Sequence, residues 1–131
     1  MRTINVGVIG TGWCGGIRAN TCASSALVGE LHIAEVNAER LREVQKETNP
    51  TLATNDYHEL ISNDGIDAIM VSTTPETTHY PIAKESLLAG KHVLLEKPLA
   101  LALDEADELI KLARDRDLKF TVGYSQRFNP K

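Results

Sequence analysis

Gly10-Thr11-Gly12-Trp13-Cys14-Gly15 is the stretch on which the reading of this sequence turns. It follows at once on Ile4-Asn5-Val6-Gly7-Val8-Ile9, a β-branched run that reads as a strand. The residues beyond it, roughly 14–25, read as a helix. A strand, a G-x-G-x-x-G turn and a helix in that order form a dinucleotide-binding βα unit. Gly10 permits the tight turn, Gly12 lets a pyrophosphate approach the backbone, and Gly15 lets the helix pack closely on the sheet. The amides at the helix start then face the phosphates, helped by the helix dipole. Thr11, Trp13 and Cys14 complete the phosphate loop. Taken alone, the pattern also fits a structural glycine-rich turn, so the surrounding sequence has to decide.

The next strand decides it. Leu31-His32-Ile33-Ala34-Glu35-Val36 places an acidic residue twenty positions after Gly15 (35 − 15 = 20). A carboxylate there accepts hydrogen bonds from the adenosine ribose hydroxyls and repels a 2′-phosphate, which favours NAD over NADP. Arg40 could reach a 2′-phosphate, but its preferred reading is a solvated arginine beside Glu39 and Arg42.

Working outward, strand and helix alternate to the end of the chain. Residues 38–48 read as a helix stopped by Pro50, 51–54 as a short strand, and 55 or 56 to 62 as a helix ended by Asn63-Asp64-Gly65. Residues 67–72 form a near-continuous apolar run, as in a strand covered on both faces. A helix over 76–89 with Gly90 as its C′ residue, a strand over 92–95, a helix over 104–117 and a strand over 119–123 follow. In the 104–117 helix, Ala106, Leu109, Ile110 and Ala113 make one apolar stripe. Such alternation places the strands parallel through right-handed crossovers. The expected fold is a Rossmann-type, doubly wound, six-stranded parallel sheet of order 3-2-1-4-5-6, with helices on both faces in three αβα layers.

Composition narrows the function. The 131 residues suit one domain, residues 1–131, with an ordinary soluble balance of 42% apolar and 24% charged residues. A net charge of −4 without a Lys/Arg run offers no footprint for nucleic acid. No apolar stretch approaches the ~20 residues needed to span a bilayer, so no membrane association is expected. Cys14 and Cys22 make neither a disulfide framework nor a metal quartet, and His32, His58 and His92 do not cluster with carboxylates. The expected compartment is the cytoplasm.

Ligands of open parallel sheets bind beyond the carboxyl ends of the strands. Two loops there carry chemistry: Ser72-Thr73-Thr74-Pro75 with His79, and Glu96-Lys97-Pro98. The Lys97 ammonium could hydrogen-bond a substrate oxygen and shuttle its proton if burial lowered its pKa. Its bland reading is a solvated loop lysine. His79 could simply cover the first turn of its helix.

These residues, with Ala89-Gly90-Lys91-His92-Val93 and Gly123-Tyr124 followed by Arg127-Phe128, resemble the Gfo/Idh/MocA oxidoreductases over nearly the whole chain. Residues 90–100, GKHVLLEKPLA, are the most specific part. The resemblance implies that Gly10, Gly12 and Gly15 hold the pyrophosphate and Glu35 the adenosine ribose. It puts Thr73, Thr74, Pro75 and His79 along the cofactor cleft, Glu96 near the nicotinamide ribose, and Lys97 at the hydride-transfer centre before a cis proline. Arg127 and Phe128 would mark the exit toward a substrate domain. Two departures stand out: Arg18 where many members have histidine, and Gly16 where a larger residue is common. Family enzymes continue into a second α/β domain that completes the substrate site and carries the oligomer interface. The sequence reaches Lys131, where that domain would begin, and is expected to be the cofactor half of an NAD(P)-dependent oxidoreductase acting on a secondary alcohol of a sugar, cyclitol or related polyol, with little activity alone. A homo-oligomer is the expected assembly. The alternatives are a non-catalytic NAD(P)-binding redox sensor or scaffold module and, less well matched, a methyltransferase binding S-adenosylmethionine.

Overall fold

The computed structural model describes residues 2–124, 127, 129 and 130. Phe128 lies outside the described residues. The strands are β1 (Ile4–Ile9), β2 (Val28–Ala34), β3 (Leu52–Thr54), β4 (Ala68–Val71), β5 (His92–Leu95) and β6 (Phe120–Val122). The helices are α1 (Trp13–Ser24), α2 (Ala38–Thr48), α3 (His58–Ile61), α4 (His79–Leu88) and α5 (Leu103–Asp115). All strands pair in parallel in the order β3-β2-β1-β4-β5-β6, the expected doubly wound arrangement.

Alternation along the central strands divides the core into two layers. Val6, Val8, Leu31 and Ile33 pack with Ala19 and Cys22 of α1 and Val44 of α2. Ile9, Ile69, Val71, Val93 and Leu95 pack with α3, α4 and α5 through Leu60, Ile82, Leu87 and Leu109. Met70 packs toward the first layer, so β4 is apolar on both faces as its sequence suggested. With both faces of the sheet covered, the open ground is the rim at the carboxyl ends of the strands.

Local signals set most boundaries. The Asn37 side chain accepts from Arg40 N to cap α2, and Asn49 ends it in the left-handed region at φ 47°. Gly90 follows α4 at φ +81°. Four details differ from the sequence reading. β2 begins at Val28 because Ile4 pairs with it, although Gly29 and Glu30 break the apolar pattern. α3 is a single turn, and Asp56 Oδ1 accepts from the His58 amide at its start. The segment 76–78 is a 3₁₀ turn, and α4 proper starts at His79. On α5 the buried stripe centres on Leu109 and Ala113, leaving Ile110 42% exposed.

Candidate cofactor site

A cavity of about 720 Å³ runs along the carboxyl ends of β1, β2, β4 and β5, in the size range of small-molecule sites. Its floor is the turn between β1 and α1. Gly10 sits at φ +86°, and a Cβ on it would lie 2.7 Å from Ser72 O. A Cβ on Gly15 would fall 1.9 Å from Gly10 O, so the helix start packs on the turn as only glycine allows. At Gly12 the situation is reversed: nothing lies within 4 Å of where a Cβ would stand, and the backbone faces open space. The α1 N-terminus has no side-chain cap and no acidic residue in its first turn. Its leading amides have no acceptor within the helix, and the positive end of its dipole lies at the cavity. An anion fits this cradle, and the phosphates of a dinucleotide match it.

Glu35 follows β2 beside the cradle. Its Oε1 accepts from Thr11 N and Thr11 Oγ1, each at 2.8 Å, and its Oε2 accepts from Asn37 N at 3.0 Å. Partial burial pushes its pKa up, but the amides of Asn37, Thr11 and Val36 and the Thr11 hydroxyl outweigh this and hold it below the ordinary glutamate value. Glu35 is therefore a firmly ionised acceptor at the cavity edge. Thr11 is fully buried and orients this carboxylate rather than lining the cavity.

Arg40 is not the solvated arginine the sequence suggested. Its Nε donates to Thr11 O at 2.6 Å and its Nη1 to Glu43 Oε2 at 3.0 Å. A Cβ on Gly16 would come within 2.3 Å of Arg40 Nη2, so the small residue at 16 makes room for the guanidinium. Arg40 thus lines the cavity at the same end as Glu35.

The far wall comes from the loops after β4 and β5. Thr73, Thr74, Glu96 and Lys97 line it, with Ser72, for which the sequence suggests no role of its own. Thr73 Oγ1 is hydrogen-bonded to Thr78 Oγ1. Pro75 is exposed and off the cavity. Thr74–Pro75 and Lys97–Pro98 are both cis, the second as the resemblance implied. His79 is 1% exposed, with Nδ1 2.8 Å from Pro98 O and Nε2 2.9 Å from Thr73 O. Each ring nitrogen lies against a carbonyl oxygen, and a neutral ring donates to one of the two, so His79 packs between the two loops with both nitrogens turned away from a ligand. Lys97 is exposed at the rim. Trp13, 83% exposed, stands on the glycine loop at the mouth, and Cys14 lines the cavity beside it.

Of the residues that the sequence points to, Gly10, Gly12, Trp13, Cys14, Glu35, Thr73, Thr74, His79, Glu96 and Lys97 converge on one cavity. Thr11 and Gly15 shape it from behind. Sequence reasoning misses Arg18 and sets Arg40 aside. The signal for both lies in the two departures at positions 16 and 18. Among the described residues no group of three or more His, Cys, Asp or Glu side chains could hold a metal ion, and no helix is long and apolar enough to cross a membrane.

Known proteins resemble this chain in sequence and fold. The Gfo/Idh/MocA family model, an oxidoreductase family with an NAD-binding Rossmann fold, matches residues 4–124. UDP-N-acetylglucosamine 3-dehydrogenase of Acidithiobacillus ferrooxidans is 37% identical over 131 residues, covering 99% of this chain and 39% of that protein. Myo-inositol 2-dehydrogenase of Thermotoga maritima is 32% identical, covering 96% of this chain and 37% of that protein. The crystal structure of scyllo-inositol dehydrogenase from Lactobacillus casei with bound NAD(H) and scyllo-inositol superposes with a TM-score of 0.88 at 27% identity, over 98% of this chain and 38% of that one. The chain therefore spans less than two-fifths of the length of these relatives.

Proposed function

The chain belongs to the Gfo/Idh/MocA oxidoreductases, in their NAD-binding Rossmann part, and from that premise we propose how its residues hold the coenzyme and what the parent enzyme does with it. Gly10, Gly12 and Gly15, with the amides of Trp13 and Cys14, bind the pyrophosphate of NAD(H). Thr11 holds Glu35 toward the adenosine ribose. Thr73 and Thr74 line the way to the nicotinamide end, with Pro75 and His79 shaping that loop from outside the ligand. Glu96 faces the nicotinamide ribose. Lys97, at the rim where a substrate would enter, donates to the substrate oxygen and moves its proton.

The observation that carries this reading is the open ground at Gly12 beside an ionised Glu35, at the carboxyl ends of a parallel sheet. Bound in this cleft, the nicotinamide supplies hydride transfer, and the protein's part is positioning and polarisation. NAD is preferred over NADP because Glu35 stands where a 2′-phosphate would come. The substrate class is a secondary alcohol of a sugar, cyclitol or related polyol, in line with the names of the relatives. Residues 1–131 act as the cofactor domain, and a second domain completes the substrate site and supports homo-oligomer formation. The free thiols Cys14 and Cys22 suit a reducing cytoplasm.

The test is a calorimetric titration of the chain with NADH, NADPH and S-adenosylmethionine, together with Lys97→Ala in the longer protein. Binding of NADH in preference to the other ligands, with turnover lost in Lys97→Ala, supports the enzyme. NADH binding without turnover in the longer protein, unchanged by Lys97→Ala, favours a sensor or scaffold module, whereas turnover that survives Lys97→Ala refutes the role of Lys97. No heat with either nicotinamide coenzyme refutes the reading.

A further inference from the structure

Arg18 lies in the second turn of α1 and reaches across the rim of the sheet. Its Nη1 donates to Glu96 Oε2 at 2.6 Å and to Ser72 Oγ at 3.0 Å. Both charged side chains are only 16% exposed, so the pair is largely withdrawn from water, where a charge-assisted bond is strong and its loss leaves a stranded carboxylate. Space for the guanidinium comes from Gly123 after β6: a Cβ there would lie 2.6 Å from Arg18 Nη2 and 3.3 Å from Glu96 Oε2. One side chain, anchored on the helix after β1, thereby touches the segments that follow β4, β5 and β6. Lys97 sits between this anchor on Glu96 and the His79 contact on Pro98.

An arginine suits this post because one guanidinium nitrogen, with two N–H groups, serves Ser72 and Glu96 together. We propose that Arg18 is a positioning residue whose pair with Glu96 fixes the 96–98 loop, and so shapes the nicotinamide end of the cleft without serving the adenosine end. This rests on the NAD(H) reading above. Removing the guanidinium frees Glu96 to turn toward solvent, and Lys97 loses one of the two anchors of its loop. The pyrophosphate cradle and Glu35 keep their contacts.

The experiment compares NADH with ADP-ribose, which carries the adenosine and diphosphate but no nicotinamide. Wild-type chain, Arg18→Gln, Arg18→Lys and Gly123→Ala are titrated with each ligand by calorimetry, and NADH fluorescence and thermal unfolding are recorded. Gly123→Ala displaces the guanidinium sterically while keeping every charge, so it decides the matter if Arg18→Gln fails to fold. Arg18→Gln and Gly123→Ala should weaken NADH about tenfold and leave ADP-ribose within about twofold. The emission of bound NADH should shift toward that of free coenzyme in both variants, and Arg18→Lys should recover part of the loss. NADH binding at the wild-type level in both variants, or equal losses for NADH and ADP-ribose, overturns the role of Arg18. A wild-type chain that binds neither ligand overturns the NAD(H) reading itself, and this proposal with it.

Discussion

Replacing Gly12 by alanine adds one methyl group at a position with nothing within 4 Å. Gly12 caps α1 with φ −64° and ψ −154°, outside the positive-φ region that favours glycine. The fold loses only the difference between glycine and alanine as a cap, about 0.5–1 kcal/mol. In a chain of 131 residues that lowers Tm by about 2–4 °C. Coenzyme binding suffers far more, because the methyl stands between the diphosphate and the helix amides. Losing two charge-assisted hydrogen bonds at about 1.5 kcal/mol each removes about 3 kcal/mol. That is about a hundredfold in Kd. Gly15→Ala is the mirror experiment: its Cβ would sit 1.9 Å from Gly10 O, a backbone atom that cannot swing aside. It should cost about 3 kcal/mol or more and drop Tm by about 11 °C or more. The assay is thermal unfolding by circular dichroism beside NADH calorimetry on each variant. NADH affinity in Gly12→Ala within about threefold of wild type, or a wild-type Tm in Gly15→Ala, would refute the assignment of the two glycines.

Glu35 titrates below its unfolded value, so its stabilising effect is present above the ordinary glutamate pKa of 4.5 and is lost as pH falls through the folded value. Urea melts between roughly pH 7 and pH 3 should therefore show a smaller acid-induced loss for Glu35→Gln than for wild type. Arg40→Ala should weaken NADPH more than NADH, since the guanidinium is the cation at the ribose end of the cavity; equal losses in paired titrations would rule that out. Lys91, 4% exposed, donates to Asn63 O at 2.7 Å and Ile66 O at 2.8 Å at the opposite rim of the sheet. Lys91→Met should lose about 2 kcal/mol of stability in denaturant melts, because the Ile66 carbonyl loses the Lys91 ammonium and the Asn63 carbonyl keeps only the Ile66 amide, with NADH affinity unchanged.

The sequence carries the architecture because each strand is short, apolar and punctuated, and the alternation with helices leaves few topologies. β1, β5 and α2 lie where their patterns place them, since Gly10, Gly90 and the Asn37 and Asn49 caps act within a few residues of what they bound. The start of β2 is hidden because Val28 joins the sheet through Ile4, not through its own periodicity. The cofactor loop is legible for the same reason as the strands: its glycines are needed locally. Arg18 is not, because its partner Glu96 is remote in sequence and the gap at Gly123 opens only once β6 is in place. For His79 the sequence offers a cover for its own helix turn, and the family resemblance a place along the cleft. In the fold its ring lies between two carbonyls that no spacing rule would place beside it.

The strand order has a consequence for how the polypeptide is made. β1 is an inner strand flanked by β2 and β4, yet it is translated before the other strands of this sheet. β2 and β3 can join it early, but the other flank stays bare until residues 68–71 are translated. Throughout that interval the nascent half-sheet displays unpaired main-chain groups beside Val6 and Val8, the kind of surface that chaperones shield and that neighbouring chains on a polysome can capture.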